Sequence, residues 1–241
     1  MSTPEPSIQN AARLVYKALH TSASPANDTV YRELIALARA LPEFRQQVSE
    51  VATGMELRIL DISELRGVVA VAASPESRFA VRLSDIRGGM DVKQKCALVL
   101  AHIAIAAVFF PTTDVLDDDS YTPPPASIAA CRETLYSLAK RLKEASDLPP
   151  DVPLELAPGW EAICAMPQAM RDAKRASASS VDGAIRIALN QMADSGLVRL
   201  DRSGDDDTST AYTATHRLRV QLRELALRRL YEMAQRTVAE A

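Results

Sequence analysis

SASSVDGAIRIALNQMADSGLVRL, residues 177–200, followed by AYTAT at 211–215, is the stretch that decides the fold. Ser177, Ser179, Ser180 and Asp182 place side-chain oxygens where a helix start leaves backbone N–H groups without partners, and Ile185, Ile187, Leu189 and Met192 continue as its apolar positions. Ser195-Gly196 closes the run, because glycine adopts the left-handed backbone that ends helices. Leu197–Leu200 and Ala211–Ala214 are short apolar-containing runs on either side of the polar loop 201–210, and they predict a β-hairpin. Helix, glycine stop and hairpin together place a small sheet against a helical core.

Outward from this stretch, the same order recurs near the N-terminus. Ile8, Ala11, Ala12, Val15, Ala18 and Leu19 have helical spacing. A second helix starts at the caps Asn27 or Asp28 and carries Val30, Leu34, Ile35, Leu37 and Ala38 to Leu41. Pro42 stops or restarts it, and a third follows with Phe44, Val48, Val51 and Ala52, ended by Gly54. Met55–Leu60 reads as a connection. Val68–Val71, the turn Ser74–Ser77 and Phe79–Leu83 then predict a first hairpin. Both halves thus follow a winged-helix plan, with a hairpin covering one side of a few short helices.

Between them, Arg87-Gly88-Gly89 marks a boundary, and residues 96–110 are apolar for about four turns, interrupted by His102. A membrane span needs roughly 20 residues, so this run predicts a helix buried on nearly all sides, between the two hairpins or in a subunit interface. Asp114, Asp117, Asp118 and Asp119 and then Pro123–Pro125 predict a solvated, extended loop. An amphipathic helix over 127–145, a Pro149/Pro150/Pro153 linker, and Trp160 with Ile163 lead back to the deciding stretch. A long helix over about 215–238 has Leu218, Leu222, Leu225, Leu230 and Met233 on one side and arginines on the others. The expected fold class is mainly α with small β-hairpins (α+β). Its parts are a disordered lead at 1–7, winged-helix domains at 8–88 and 150–214, a helical connector at 90–147 and the final helix at 215–241.

Composition narrows the chemistry. The 241 residues carry a net charge of -3, which gives no global attraction to nucleic acid or anionic lipid. Cys96, Cys131 and Cys164 lie far apart without CxxC or Cys/His pairing, so they read as buried, reduced thiols of a cytoplasmic chain. The three histidines fall on different elements, and His102 reads as a core histidine with one hydrogen bond. No GxSxG, HExxH, GxxxxGK or GxGxxG motif occurs, and the expectation is a protein that is not an enzyme and holds no cofactor or metal. Arg171, Lys174, Arg175 and Arg186 form a small strip for contact with DNA phosphates, although Asp172, Asp182 and Asp194 offset its charge. Asp205–Asp207 at the second hairpin's tip would repel a phosphate backbone.

The order of the whole chain carries a resemblance. One half ends in Gly-Val-Val-Ala-Val and Phe-Ala-Val-Arg-Leu. The other contains Ala-Leu-Asn-Gln-Met-Ala-Asp-Ser-Gly-Leu-Val-Arg-Leu and Tyr-Thr-Ala-Thr, and Ala-Ile-Ala-Ala-Val-Phe-Phe-Pro joins them. This arrangement resembles the KITE group, the tandem winged-helix accessory subunits of bacterial SMC (condensin) complexes that include MukE, MksE and the corresponding Wadjet subunit. The resemblance implies a cytoplasmic, nucleoid-associated homodimer that binds a kleisin, supports an SMC ATPase in chromosome segregation or plasmid defence, and meets DNA through that assembly. Ile103, Ile105 and Phe109 of the apolar run, with Leu222, Leu225, Arg228 and Arg229 of the final helix, are the residues expected at dimer or partner contacts. The rival expectation is a winged-helix transcriptional regulator that binds DNA directly through Arg171, Lys174, Arg175 and Arg186.

Overall fold

Ser7 accepts a hydrogen bond from the Asn10 N–H at 3.2 Å and so starts the first helix of the computed structural model, which describes residues 5–145, 152–169, 177–202 and 208–226. The chain divides into two compact units, 1–81 with 219–241 and 82–218.

In the first unit, α1 (Ile8–Leu19), α2 (Thr29–Ala40) and α3 (Pro42–Gly54) precede an antiparallel hairpin of β1 (Leu57–Ser63) and β2 (Gly67–Ala72). Asp28 caps α2, and Pro42 occupies the first turn of α3, where its missing N–H costs nothing. Leu14, Leu34, Ile35, Phe44 and Val48 are fully buried and pack with Leu57, Val68 and Ala70 of the hairpin. Each large side chain buried in this way stabilises the fold by about 1.5–3 kcal/mol before entropy is counted.

The expected partner of Val68–Val71 is wrong. Its partner is the preceding segment, Leu57–Ser63, and residues 79–82 form no strand. The turn at Ser74–Ser77 is instead drawn back to the end of α3, where the Glu56 carbonyl accepts from Ala73 N–H at 2.8 Å and from the Ser77 hydroxyl at 3.1 Å. Leu57-Arg58-Ile59 alternates as a strand should, but a bulge between Ile59 and Asp61 breaks the period and hides the strand in the sequence. Gly54 is the last residue of α3 rather than its left-handed stop. Glu56 takes that conformation, at φ 57°.

The second unit begins with α4 (Leu83–Ile86) and the long α5 (Val92–Phe109), followed by α6 (Thr113–Asp117), the two-residue strand β3 (Ala126–Ser127) and α7 (Ile128–Glu144). After a single 3-10 turn come α8 (Ala157–Ala165), α9 (Val181–Asp194), β4 (Val198–Arg202) and β5 (Ala211–Ala214). The helix, Val181–Asp194 with Ser180 as its cap, and its hairpin are therefore as expected. α10 (His216–Gln221) crosses the unit boundary and runs into a π-helical turn, Leu222–Ala226. Most of the expected long C-terminal helix, the loop tip with Asp205–Asp207, and Pro149 and Pro150 lie outside the described residues.

α5 packs against α7, α8 and α9, so the segment read as a connector shares a core with the segment read as the second domain. By length and apolar composition alone α5 could cross a membrane; here it is the helix around which this unit is built. The crossing with α8 is close: a Cβ on Gly159 would lie 2.7 Å from the Cys96 carbonyl carbon. The expectation of burial on nearly all sides needs correction. Ile103 is 46% exposed and Val92 65%, three turns away on the same face. The acidic and proline-rich loop also holds more structure than expected, with α6 inside it and β3 at its end pairing with β5 to give a three-stranded sheet of order β3-β5-β4.

Candidate interaction surfaces

Arg186 is the one residue of the expected phosphate strip within the described structure, since Arg171, Lys174 and Arg175 fall outside it. It projects from α9, half-buried, and its charge acts on the Tyr212 hydroxyl of β5. Burial is the larger influence there and pushes the Tyr212 phenol above its ordinary range, with Arg186 working in the opposite direction.

The expected partner contacts separate by burial. Ile105 and Phe109 are 0% exposed and serve the core of the chain itself, so they present no surface to a partner. They lie on the buried side of a helix that packs against α7, α8 and α9, a distinction that a uniformly apolar run cannot encode. Ile103 is open, and Leu222 and Leu225 are half-buried in the π-helical turn. Arg228 and Arg229 lie outside the described residues.

His102 makes two hydrogen-bond contacts rather than the expected one. Its Nδ1 lies 2.8 Å from the Leu98 carbonyl oxygen and its Nε2 lies 2.9 Å from Gln191 Oε1, whose amide nitrogen donates to the Ser195 hydroxyl. The histidine thereby ties α5 to the end of α9. His20 stands at the end of α1 with its ring edge-on to Tyr16, and His216 opens α10. Burial pushes the Cys131 thiol up to about 12 and raises Cys96 as well, so neither favours a reactive thiolate. Cys96 and Cys164 are only half-buried. Among the described residues no three His, Cys, Asp or Glu side chains converge as a metal cluster. Asp118 instead folds its carboxylate back onto the Ser120 N–H and hydroxyl.

No protein-family model, curated protein or solved structure matches the chain. Its surfaces therefore have to be read from their own chemistry.

Two features escaped the sequence. Arg132 of α7 and Asp182 in the first turn of α9 form an ion pair at 2.8 Å, with side chains 20% and 10% exposed. Beside it a cleft of about 430 Å³ runs between α7 and α8, lined by Arg132, Tyr136, Cys164, Met166, Gln168 and Val181. The available signal was weak: Asp182 sits in a helix's first turn, where a carboxylate is favourable without any partner, and the partner Arg132 is 50 residues away.

Proposed function

We propose that this chain is a non-enzymatic accessory subunit of the KITE type. It is a tandem winged-helix protein that dimerises, binds the kleisin of a bacterial SMC complex in the cytoplasm, and meets DNA as part of that assembly. The observation that carries this reading is the order of elements in the two units: helices followed by an antiparallel hairpin, first α1–α3 with β1–β2, then α5–α9 with β4–β5, to which β3 adds a third strand. The regulator reading draws less support, because Arg186, one of its four phosphate-binding residues, is half-buried beside Tyr212.

The test is capture of tagged full-length protein from its native host, with and without nuclease, followed by mass spectrometry. A kleisin-like chain and a large coiled-coil ATPase that survive nuclease are the expected companions. Recovery of DNA alone, lost on nuclease treatment, would move the assignment to the regulator.

A further inference from the structure

We infer that the free edge of β1 in the first unit is a strand-addition site for an extended peptide that bears a carboxylate. This surface is independent of which complex the chain belongs to. No strand among the described residues pairs with β1 on the side away from β2. An edge strand of this kind presents alternate N–H and C=O groups outward, the template on which extended peptides add a strand. Every residue from Arg58 to Ser63 keeps part of its surface accessible.

A cleft of about 340 Å³ runs along this edge. It is lined by Ile59, Leu60, Asp61 and Ile62 of β1 and by Ala38, Arg39, Arg45 and Ser49 from the end of α2 and from α3. Successive residues of a strand point to opposite faces. The bulge breaks this alternation between Ile59 and Asp61, and the cleft, which touches Ile59 to Ile62 and none of β2, lies on the β1 side of the hairpin with α2 and α3 flanking it. The partly exposed Ile59 and Ile62 supply the smaller, apolar part of an otherwise polar lining, where one side chain of the incoming strand would rest.

Charge selects the occupant. Arg39 pairs with Glu64, and Asp61 has interactions of its own. Arg45 is exposed and has no ion pair or side-chain hydrogen bond among the described residues, so it is the cation of the cleft left for a ligand. A carboxylate two positions along from the apolar anchor would reach it, because side chains on one face of a strand repeat every second residue. The bulge at Leu60 limits the addition to a short segment, since it interrupts the even spacing of backbone groups.

The experiment uses the full chain and fluorescein-labelled octapeptides of alternating valine and threonine with one central glutamate, read by fluorescence anisotropy. Glutamine in place of glutamate should weaken binding roughly threefold, the scale of an exposed ion pair. N-methylation of two backbone amides on the pairing side should weaken it about tenfold or more, from two lost hydrogen bonds. Arg45→Glu should reverse the preference so that a lysine peptide binds better than the glutamate peptide, and the exposed position leaves folding intact. Absence of binding at millimolar peptide, indifference to N-methylation, or an unchanged preference in Arg45→Glu would each overturn the proposal. Displacement of the peptide by duplex DNA would make the cleft a phosphate site, and loss of self-association in Arg45→Glu would make the occupant a second copy. Either result overturns it too.

Discussion

The two units solve the same two problems differently, at the edge of the hairpin and at the end of the helix before it. In the first unit the outward N–H of Val68 on β2 donates to the Tyr31 hydroxyl at 2.8 Å, so a side chain from α2 satisfies the strand. In the second, β5 is paired by a strand, with Ala126 and Ser127 opposite Tyr212 and Ala211. The helix ends differ as well. α9 stops on Gly196 at φ 67°, with Leu197 N–H donating back to the Met192 carbonyl at 2.7 Å, whereas α3 reaches its hairpin through Glu56 at φ 57°. Similar architecture thus rests on a buried hydroxyl and a strained glutamate in one place, and on backbone pairing and a glycine in the other.

The largest break in this comparison is Ile105→Asp. A carboxylate placed at a fully buried position without a counter-charge should cost the second unit about 3–5 kcal/mol or more. The buried Cys131 thiol of the same unit supplies the readout: its alkylation under native conditions should accelerate, while amide exchange in α1–α3 stays protected. Unchanged Cys131 protection would remove α5 from the core. Next in size is Tyr31→Phe, which leaves the buried Val68 N–H unpaired and should lower stability by about 1–3 kcal/mol in denaturant unfolding. The matching change at the strand-paired edge, Ser127→Ala, removes only the cap on Ala130 N–H and should cost about 1 kcal/mol. Equal losses would mean that the Tyr31 hydroxyl contributes no more than a helix cap does.

Smaller still is the exchange of helix stops. Glu56→Gly relieves a left-handed non-glycine residue and should raise stability by about 0.5–1 kcal/mol, whereas Gly196→Ala introduces the same strain and should lower it by about 1 kcal/mol. A thermal shift of the same sign in both variants would contradict the assigned conformations.

That asymmetry also explains what was legible in the sequence. The stop at Ser195-Gly196 announces the second hairpin, and both of its strands were readable. Glu56 announces nothing, so Met55–Leu60 reads as a connection and the sequence pairs Val68–Val71 with the residues after it rather than before. Local patterns gave the helices because apolar spacing reports which face is buried. They could not give the pairing of Ala126 with Tyr212 or of Arg132 with Asp182, where the partners are far apart in the chain and each residue has an adequate local role. α5 was legible as a helix but not in its orientation: apolar residues surround it, and only packing against α7, α8 and α9 separates Ile105 from Ile103.

The finest test of the comparison is acid. Asp28 holds its carboxyl below the usual aspartate range, first through the hydrogen bond from Lys17 and then through the Tyr31 backbone N–H at 2.9 Å, and it ties α1 to the start of α2. Asp201 is lowered first by the Thr213 hydroxyl and then by Arg199 at 2.7 Å, and it ties β4 to β5. A carboxyl whose value falls on folding stabilises the native state above its unfolded value, and that contribution is lost as pH drops through the folded value. Both contributions should therefore be complete above about pH 4 and fade below it. Thr213→Val should make hairpin amides of the second unit exchange faster below pH 4 without altering α2, and Lys17→Met should do the converse. The partners are partly exposed, so the effects are small, and their value lies in location. If either variant sensitised both units equally, the carboxylates would be acting through the net charge of the whole chain rather than through these contacts.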